Sequence, residues 1–133
     1  MSSIIKEKTF EMIFDNEIFT LKENIMIKKL PIFEEILNKR KFKKNYSNFI
    51  EIPNNFDGII ISSTIMEQYL DHIHGENVRF NMKNVEKFLI LASCFYDNVL
   101  LKKIEIFLSD IRQKNQENAE SIFLLTQKYN LEY

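Results

Sequence analysis

The stretch that decides the fold runs from Met66 to Leu108 and contains three apolar segments separated by turn residues. Residues 66–80 read MEQYLDHIHGENVRF, residues 84–96 read NVEKFLILASCFY, and residues 100–108 read LLKKIEIFL. Apolar residues recur at three- and four-residue spacing, which predicts three short amphipathic helices. Gly75 and the Asp97-Asn98 pair are typical helix-ending and helix-capping residues, and they separate the segments. No catalytic motif occurs here, so the pattern favours a protein that binds partners.

Upstream of these helices, the sequence predicts short strands and a pair of helices. Strands are predicted at residues 9–14, 17–21 and 49–52, and helical spacing extends from residue 24 to residue 37. The Asp15-Asn16 pair between the first two strands is typical of a hairpin turn. Pro31 predicts either a break between two short helices or the first turn of the second helix. Residues 59–61 form an apolar run that fits either a strand or a helix.

Capping residues predict several element boundaries. Thr64 and Glu67 have capping-box spacing, which places a helix start at Ser63 or Thr64. Residues 78–80 are predicted as a brief edge strand, and Asn81 as the cap of the helix that follows.

The C-terminal part predicts one more helix after a polar stretch at residues 112–116. Its apolar face would comprise Ala119, Ile122, Phe123, Thr126 and Tyr129. The order of hairpin, helix pair, strand and four helices predicts an α+β fold in which helices cover a small sheet.

Composition narrows the class of protein. The chain has 133 residues, which suits one domain, and its net charge of −1 creates no field that would select nucleic acid or an anionic membrane. Cys94 is the one cysteine, so no internal disulfide is expected. The charged start of the chain is unlike a signal peptide, and no stretch has the length of a membrane span. We therefore expect an intracellular protein, cytoplasmic or nuclear.

The residues that commonly carry chemistry do not form a catalytic or metal-binding pattern. His72 and His74 are two apart, so on a helix their side chains point about 200° from one another and chelate a metal poorly. Cys94 lies in an apolar helix without nearby cations, and we expect a small buried hydrophobic side chain. The carboxylates have no paired spacing. The sequence thus predicts no enzyme, no metal and no cofactor.

Taken together, these segments resemble a BTB/POZ domain over nearly the whole chain. In that family a hairpin runs into a helical hairpin that ends in Phe, a later helix ends in a Gly turn, and an Asn-Val pair opens the next helix. The matching positions are Phe19, Phe33, residues 50–52, Ile73-His74-Gly75, Asn84-Val85 with Ala92, and Phe107-Leu108. Elongin-C-type adaptors share the core fold, but their acidic insert and C-terminal helices are not evident.

The resemblance implies a small β-sheet flanked by five to seven short α-helices. It places a BTB/POZ-like domain at residues 1–112. Residues 113–133 would then be a C-terminal helix that begins a BACK-like extension, because an Asn-Ala pair, here Asn118-Ala119, opens a helix in such extensions.

The resemblance also implies protein partners. BTB domains commonly form homodimers through an N-terminal strand and helix, and Ile4, Ile5 and Phe10 would supply that apolar surface here. Many also bind the cullin-3 scaffold of ubiquitin ligases through a hydrophobic-x-Glu motif. The nearest match is Phe42-Lys43-Lys44, which has Lys where Glu would stand. A self-assembly or structural module that does not bind a ligase is therefore the alternative.

A basic run surrounds Phe42 and is the sharpest charge feature. It comprises Lys39, Arg40, Lys41, Lys43 and Lys44. Such a run is usually a solvated loop, although phosphate, an acidic partner or a cullin surface would also fit it. Phe42 is either an interface anchor or a core residue. The net charge argues against a nucleic acid as the partner.

Overall fold

The computed structural model describes residues 8–41, 49–114 and 118–131. Contacts between Cα atoms divide the chain into two compact units, unit 1 from Met1 to Asn77 and unit 2 from Val78 to Tyr133. Each unit is built around its own secondary-structure elements.

The described residues form six helices and five short strands, which confirms the predicted α+β class. Unit 1 contains β1 (Thr9–Phe14), β2 (Glu17–Lys22), α1 (Glu23–Lys29), α2 (Ile32–Lys41), β3 (Phe49–Ile52), β4 (Asn55–Phe56), β5 (Ile59–Ile60) and α3 (Ser63–Ile73). Unit 2 contains α4 (Val85–Cys94), α5 (Asn98–Lys114) and α6 (Ala119–Tyr129).

The main sheet of unit 1 is mixed, with strand order β2-β1-β3. β1 and β2 are antiparallel and joined by the predicted turn, in which Asp15 and Asn16 have φ of 51° and 62°. Two consecutive positive φ angles match the right-handed twist of a hairpin, and Asp and Asn tolerate them better than other non-glycine residues. β3 runs parallel to β1 on its other side.

One face of this sheet forms the core of unit 1. Phe10, Met12 and Phe14 alternate along β1 and are all buried, as the period of two in a strand requires. The ring of Phe10 lies 5.9 Å from that of Phe33 in α2, measured between centroids. Burial of a side chain of this size contributes about 1.5–3 kcal/mol to folding.

A second hairpin is formed by β4 and β5. Its second strand lies in the apolar run at residues 59–61, which the sequence left open between strand and helix. Asp57 and Gly58 form its turn with φ of 53° and 89°, and Asn55 Oδ1 accepts a hydrogen bond from the Gly58 N–H at 2.9 Å. Residues 59–61 thus begin as a strand, and Ile61 is fully buried.

The next helix, α3, begins at Ser63, one of the two starts that the capping-box spacing predicted. Ser62 is the N-cap, and its Oγ accepts a hydrogen bond from the Ile65 N–H at 3.4 Å. Gly75 follows the helix with φ of 100°, which confirms its predicted role as terminator. Helical spacing predicts one inward face made of Met66, Tyr69, Leu70 and Ile73, and all four are buried.

Unit 2 opens with a reciprocal cap in place of the predicted edge strand. Residues 78–80 form no strand, so that prediction was wrong. Asn81 Oδ1 accepts from the Asn84 N–H at 2.8 Å, and Asn84 Oδ1 accepts from the Asn81 N–H at 2.8 Å. These two hydrogen bonds resemble a capping box and stabilise the turn before α4. The N-cap of α4 itself is Asn84, so the prediction of Asn81 as the cap of that helix was wrong.

The contacts of Phe80 account for the absence of a strand at residues 78–80, because its ring packs in an aromatic cluster. It lies 5.7 Å from Phe88 of α4 and 5.5 Å from Phe107 of α5, between ring centroids. Periodicity predicts buried stripes on α4 and α5, and the buried members are Val85, Phe88, Leu89, Ala92, Phe95, Leu100, Ile104 and Leu108. Leu101, Phe107 and Ile111, predicted to face inward as well, are only partly buried.

The junction of α4 and α5 combines a good cap with a strained residue. Asp97 is buried, and its Oδ1 accepts from the Leu100 N–H at 3.0 Å, which confirms one of the two predicted caps. Tyr96 precedes it with φ of 55°, a left-handed conformation that costs a non-glycine residue about 1–2 kcal/mol.

The last helix, α6, presents a narrower buried face than its sequence predicted. Ile122 is fully buried, but Phe123 is 54% exposed, so the prediction that Phe123 faces inward was wrong. On a helix the two side chains point about 100° apart, and the packed side of α6 includes only the first. The predicted domain boundary after residue 112 stays a prediction; α5 continues to Lys114.

Candidate interaction surfaces

The helix pair of unit 1 leaves four isoleucines partly exposed, and Ile25 and Ile27, two apart on α1, point to different sides of that helix. Met26, Leu30, Phe33 and Leu37 are buried, while Ile25, Ile27, Ile32 and Ile36 each keep part of their surface exposed. We call these four isoleucines the helical-hairpin surface. They are the apolar residues of α1 and α2 that the core of unit 1 does not fully cover.

Pro31 sets the geometry of this surface. The residue before a proline avoids the helical region, and Leu30 accordingly has φ of −133° and ψ of 86°. α1 ends there, and the Leu30 N–H still donates to the Met26 carbonyl at 2.8 Å. α2 then begins one residue after Pro31, where a proline loses no intrahelical hydrogen bond.

Only one of the six predicted interface residues lies in the described part of the chain. Phe10 is 1% exposed and packs on Phe33, so its ring faces the core of unit 1 in this conformation. Ile4, Ile5, Phe42, Lys43 and Lys44 lie outside the described residues. Their role at an interface stays a prediction. Lys39, at the start of the basic run, is exposed on α2.

Unit 2 contains a polar clasp that joins α6 to α4. Glu86 Oε2 accepts hydrogen bonds from Lys128 Nζ at 2.8 Å and from the Tyr129 hydroxyl at 2.9 Å. Burial raises the pKa of the Glu86 carboxyl, but the hydrogen bonds from Lys128 and Tyr129 and the charge of Lys128 outweigh that effect. The pKa of Glu86 is therefore lowered. Sequence spacing could not reveal this clasp, because its members are more than forty residues apart.

The histidines and the cysteine do not form a reactive site in the described residues. His72 is buried beside Tyr69, whereas His74 is exposed and its Nδ1 lies 2.8 Å from the Leu70 carbonyl oxygen. No group of three His, Cys, Asp or Glu residues that could hold a metal occurs among the residues described. Cys94 is exposed, so the prediction of a buried side chain was wrong. Partial desolvation nevertheless raises the pKa of its thiol, which keeps the group protonated.

A set of exposed apolar side chains in unit 2 was not predicted. Tyr96, Val99, Ile106, Phe123 and Leu124 are all more than half exposed. Val99 and Ile106 lie on the side of α5 opposite its buried row of Leu100, Ile104 and Leu108. Residues seven apart lie on one side of a helix, so the spacing of Val99 and Ile106 could have identified this outward side from the sequence.

The similarity of this chain to known proteins is found in its fold and not in its sequence. No protein-family model and no curated protein sequence match the chain. Among solved structures, the BTB (Tramtrack and Bric a brac) domain of human gigaxonin superposes with a TM-score of 0.60 over 74% of this chain and 75% of that one. The chain has a BTB/POZ-like fold. The predicted resemblance is thereby confirmed at the level of architecture.

At 19% identity the likeness to the gigaxonin domain is one of fold and carries no residue roles across. In the described part of the chain, no helix is long and apolar enough to cross a membrane.

Proposed function

We propose that this chain is a non-catalytic protein-interaction module that assembles with itself and binds an adaptor or scaffold protein. The observation that supports the proposal is the BTB-like fold, in which the helical-hairpin surface remains partly uncovered. Apolar side chains that a core leaves uncovered favour a protein partner over a small polar ligand. An intracellular location, cytoplasmic or nuclear, remains part of the proposal.

Self-assembly is the first component of the proposal. It rests on the family resemblance, which assigns the dimer surface to the N-terminal segment with Ile4 and Ile5. Sedimentation velocity on the full chain would measure it, with a dimer expected at micromolar concentrations. The double variant Ile4→Asp, Ile5→Asp should dissociate the dimer, because two charges would be buried without partners. A wild-type chain that stays monomeric at all concentrations would contradict this component.

Scaffold binding is the second component, with the N-terminal region of cullin-3 as the candidate partner. Isothermal titration calorimetry should give a dissociation constant in or below the tens of micromolar. Ile36→Glu should weaken binding about tenfold or more, because it places a charge in the helical-hairpin surface. The matched control is Glu35→Gln, which changes an exposed neighbour on the same helix. Absence of heat with wild type would remove this component.

The alternative function is self-assembly without a ligase. Lys44 favours it, because the resemblance would require Glu at that position for the cullin motif. The variant Lys44→Glu separates the two functions. If wild type does not bind cullin-3 and the variant does, the chain is a self-assembly module whose scaffold motif is lost. If both bind equally, the motif at residues 42–44 does not decide binding.

A further inference from the structure

The outer face of α5 carries apolar side chains that unit 2 does not use in its core. Val99 is 64% exposed and Ile106 is 56% exposed, while Leu100, Ile104 and Leu108 on the other side are buried. With about 100° per residue, two residues seven apart lie almost in line along a helix. Val99 and Ile106 therefore form a short apolar stripe that faces solvent.

Charges flank this stripe in a symmetric order. Lys102 and Asp110 are both exposed, and each lies four residues from Ile106. Residues four apart form one ridge on a helix surface. The ridge thus reads positive, apolar, negative. Lys102 and Asp110 are too far apart on their own helix to pair with each other.

A ridge with this order is complementary to itself when two copies run antiparallel. We propose that a second copy of this chain packs on the outer face of α5 across a two-fold axis at Ile106. Lys102 then faces the partner's Asp110, Asp110 faces the partner's Lys102, and Ile106 contacts the partner's Ile106. A parallel arrangement would oppose like charges, so the sequence of the ridge selects the antiparallel one.

Helix geometry permits the contact. Four residues span about 6 Å along the axis, so each ion pair would lie about one turn from the two-fold axis. Ridges of residues four apart interdigitate at the commonest helix crossing angle, about −50°. Long lysine side chains reach across such a crossing, and their aliphatic stems cover Ile106 and Val99.

The contact is small, because one helix crossing buries less than a standard protein interface. We therefore expect weak association that adds to the N-terminal dimer and joins dimers into larger assemblies. It uses a different surface from the proposed dimer and scaffold contacts. Loss of the α5 contact would leave the N-terminal dimer and scaffold binding intact. Loss of either of those would leave the α5 contact intact.

Charge reversal in the full-length chain tests the proposal. Lys102→Asp places Asp opposite Asp, and Asp110→Lys places Lys opposite Lys. Each single variant should raise the dissociation constant of the concentration-dependent step about tenfold, because two attractive pairs become repulsive. The double variant should restore association, as should mixing the two single variants. Sedimentation equilibrium in low and high salt measures each case, with weaker binding expected in high salt.

Two controls make the outcome decisive. Asp71→Lys changes an exposed residue of α3 by the same charge and should leave association unchanged. Ile106→Glu should abolish the step while circular dichroism confirms that the chain folds. The proposal is overturned if Ile106→Glu removes no step from the concentration-dependent association of wild type. It is also overturned if the double variant stays as weak as the single ones.

Discussion

Asp15 and Ser63 are 48 residues apart in sequence, yet the Asp15 carboxylate accepts a hydrogen bond from the Ser63 backbone N–H at 3.2 Å. The other oxygen of Asp15 accepts from the Asn54 side chain at 3.0 Å. The turn of the first hairpin is thereby tied to the loop after β3 and to the start of α3. One carboxylate thus coordinates three parts of unit 1.

Replacement of Asp15 tests this tie. Asp15→Ala removes both hydrogen bonds and places Ala at a positive φ, so the free energy of unfolding should fall by about 1–3 kcal/mol. Asp15→Asn tolerates the same backbone and keeps one acceptor, so its loss should be smaller. Urea denaturation would measure both, with Glu17→Gln on the exposed edge of β2 as control. Equal stability of all three variants would contradict the role of Asp15.

The clasp at Glu86 predicts a pH dependence. Because the pKa of Glu86 is lowered on folding, the unfolded chain binds the proton more readily than the folded chain. The stabilisation is present above the ordinary carboxyl pKa of about 4.3 and is lost as the pH falls through the folded value. Glu86→Gln should therefore be less stable than wild type at neutral pH, by less than about 1 kcal/mol for a pair this exposed.

The comparison is made by thermal unfolding of wild type and Glu86→Gln between neutral and acidic pH. The difference between them should shrink below the ordinary carboxyl pKa. Glu76→Gln replaces an exposed carboxylate outside the clasp and serves as the control. A gap that widens in acid would show that the clasp does not depend on the Glu86 charge.

Ile122 and Phe123 predict opposite responses in α6. Ile122→Ala removes a fully buried side chain and should cost about 2–5 kcal/mol locally. Phe123→Ala removes one that is mostly exposed and should change stability little. Hydrogen exchange of the α6 amides reports both effects. Faster exchange in the Phe123 variant than in the Ile122 variant would reverse the assignment of the buried face.

Tyr96 predicts a stabilising substitution. Its left-handed φ favours glycine, and its side chain is 72% exposed, so little burial is lost on replacement. Tyr96→Gly should raise the free energy of unfolding by up to about 1 kcal/mol. Ser93→Gly is the matched control, because glycine inside α4 should lower it by about 1 kcal/mol. Guanidinium denaturation distinguishes the two, and a loss of stability in both would show that Tyr96 is not strained.

The parts of the fold that were predictable depend on local signals. The Asp15-Asn16 turn, the break at Pro31 and the cap at Asp97 each follow from the backbone preferences of one or two residues. The second hairpin had the same kind of signal in Asp57-Gly58, but its two-residue strands were too short for an alternating pattern.

The errors concern contacts between elements that are distant in sequence. The outward position of Phe123 depends on which side of α6 the rest of unit 2 covers, and periodicity alone does not settle that choice. Residues 78–80 have a strand-like composition, but Phe80 packs on two helices instead. Cys94 is a different case, because helical periodicity alone places it on the side of α4 opposite the buried residues Val85 and Ala92.

Some features of the candidate surfaces were also predictable from the sequence, and others were found only in the structure. The helix pair was predicted from helical spacing, and its partly exposed isoleucines were found only in the structure. The ridge on α5 could have been predicted from helical periodicity, which places Val99 and Ile106 on the side opposite Leu100 and Ile104. The Glu86 clasp joins residues whose sequence separation gives no signal.

The parallel pairing of β1 with β3 has a consequence for biosynthesis. β1 leaves the ribosome long before β3, so one edge of the central strand has no sheet partner until the chain has grown through Ile52. A nascent chain that ends near residue 48 should therefore expose an apolar strand edge and aggregate, whereas one that includes β3 should not. Light scattering of the two fragments during refolding would measure the difference. Translation speed between α2 and β3 then becomes a determinant of how much folded protein a cell obtains.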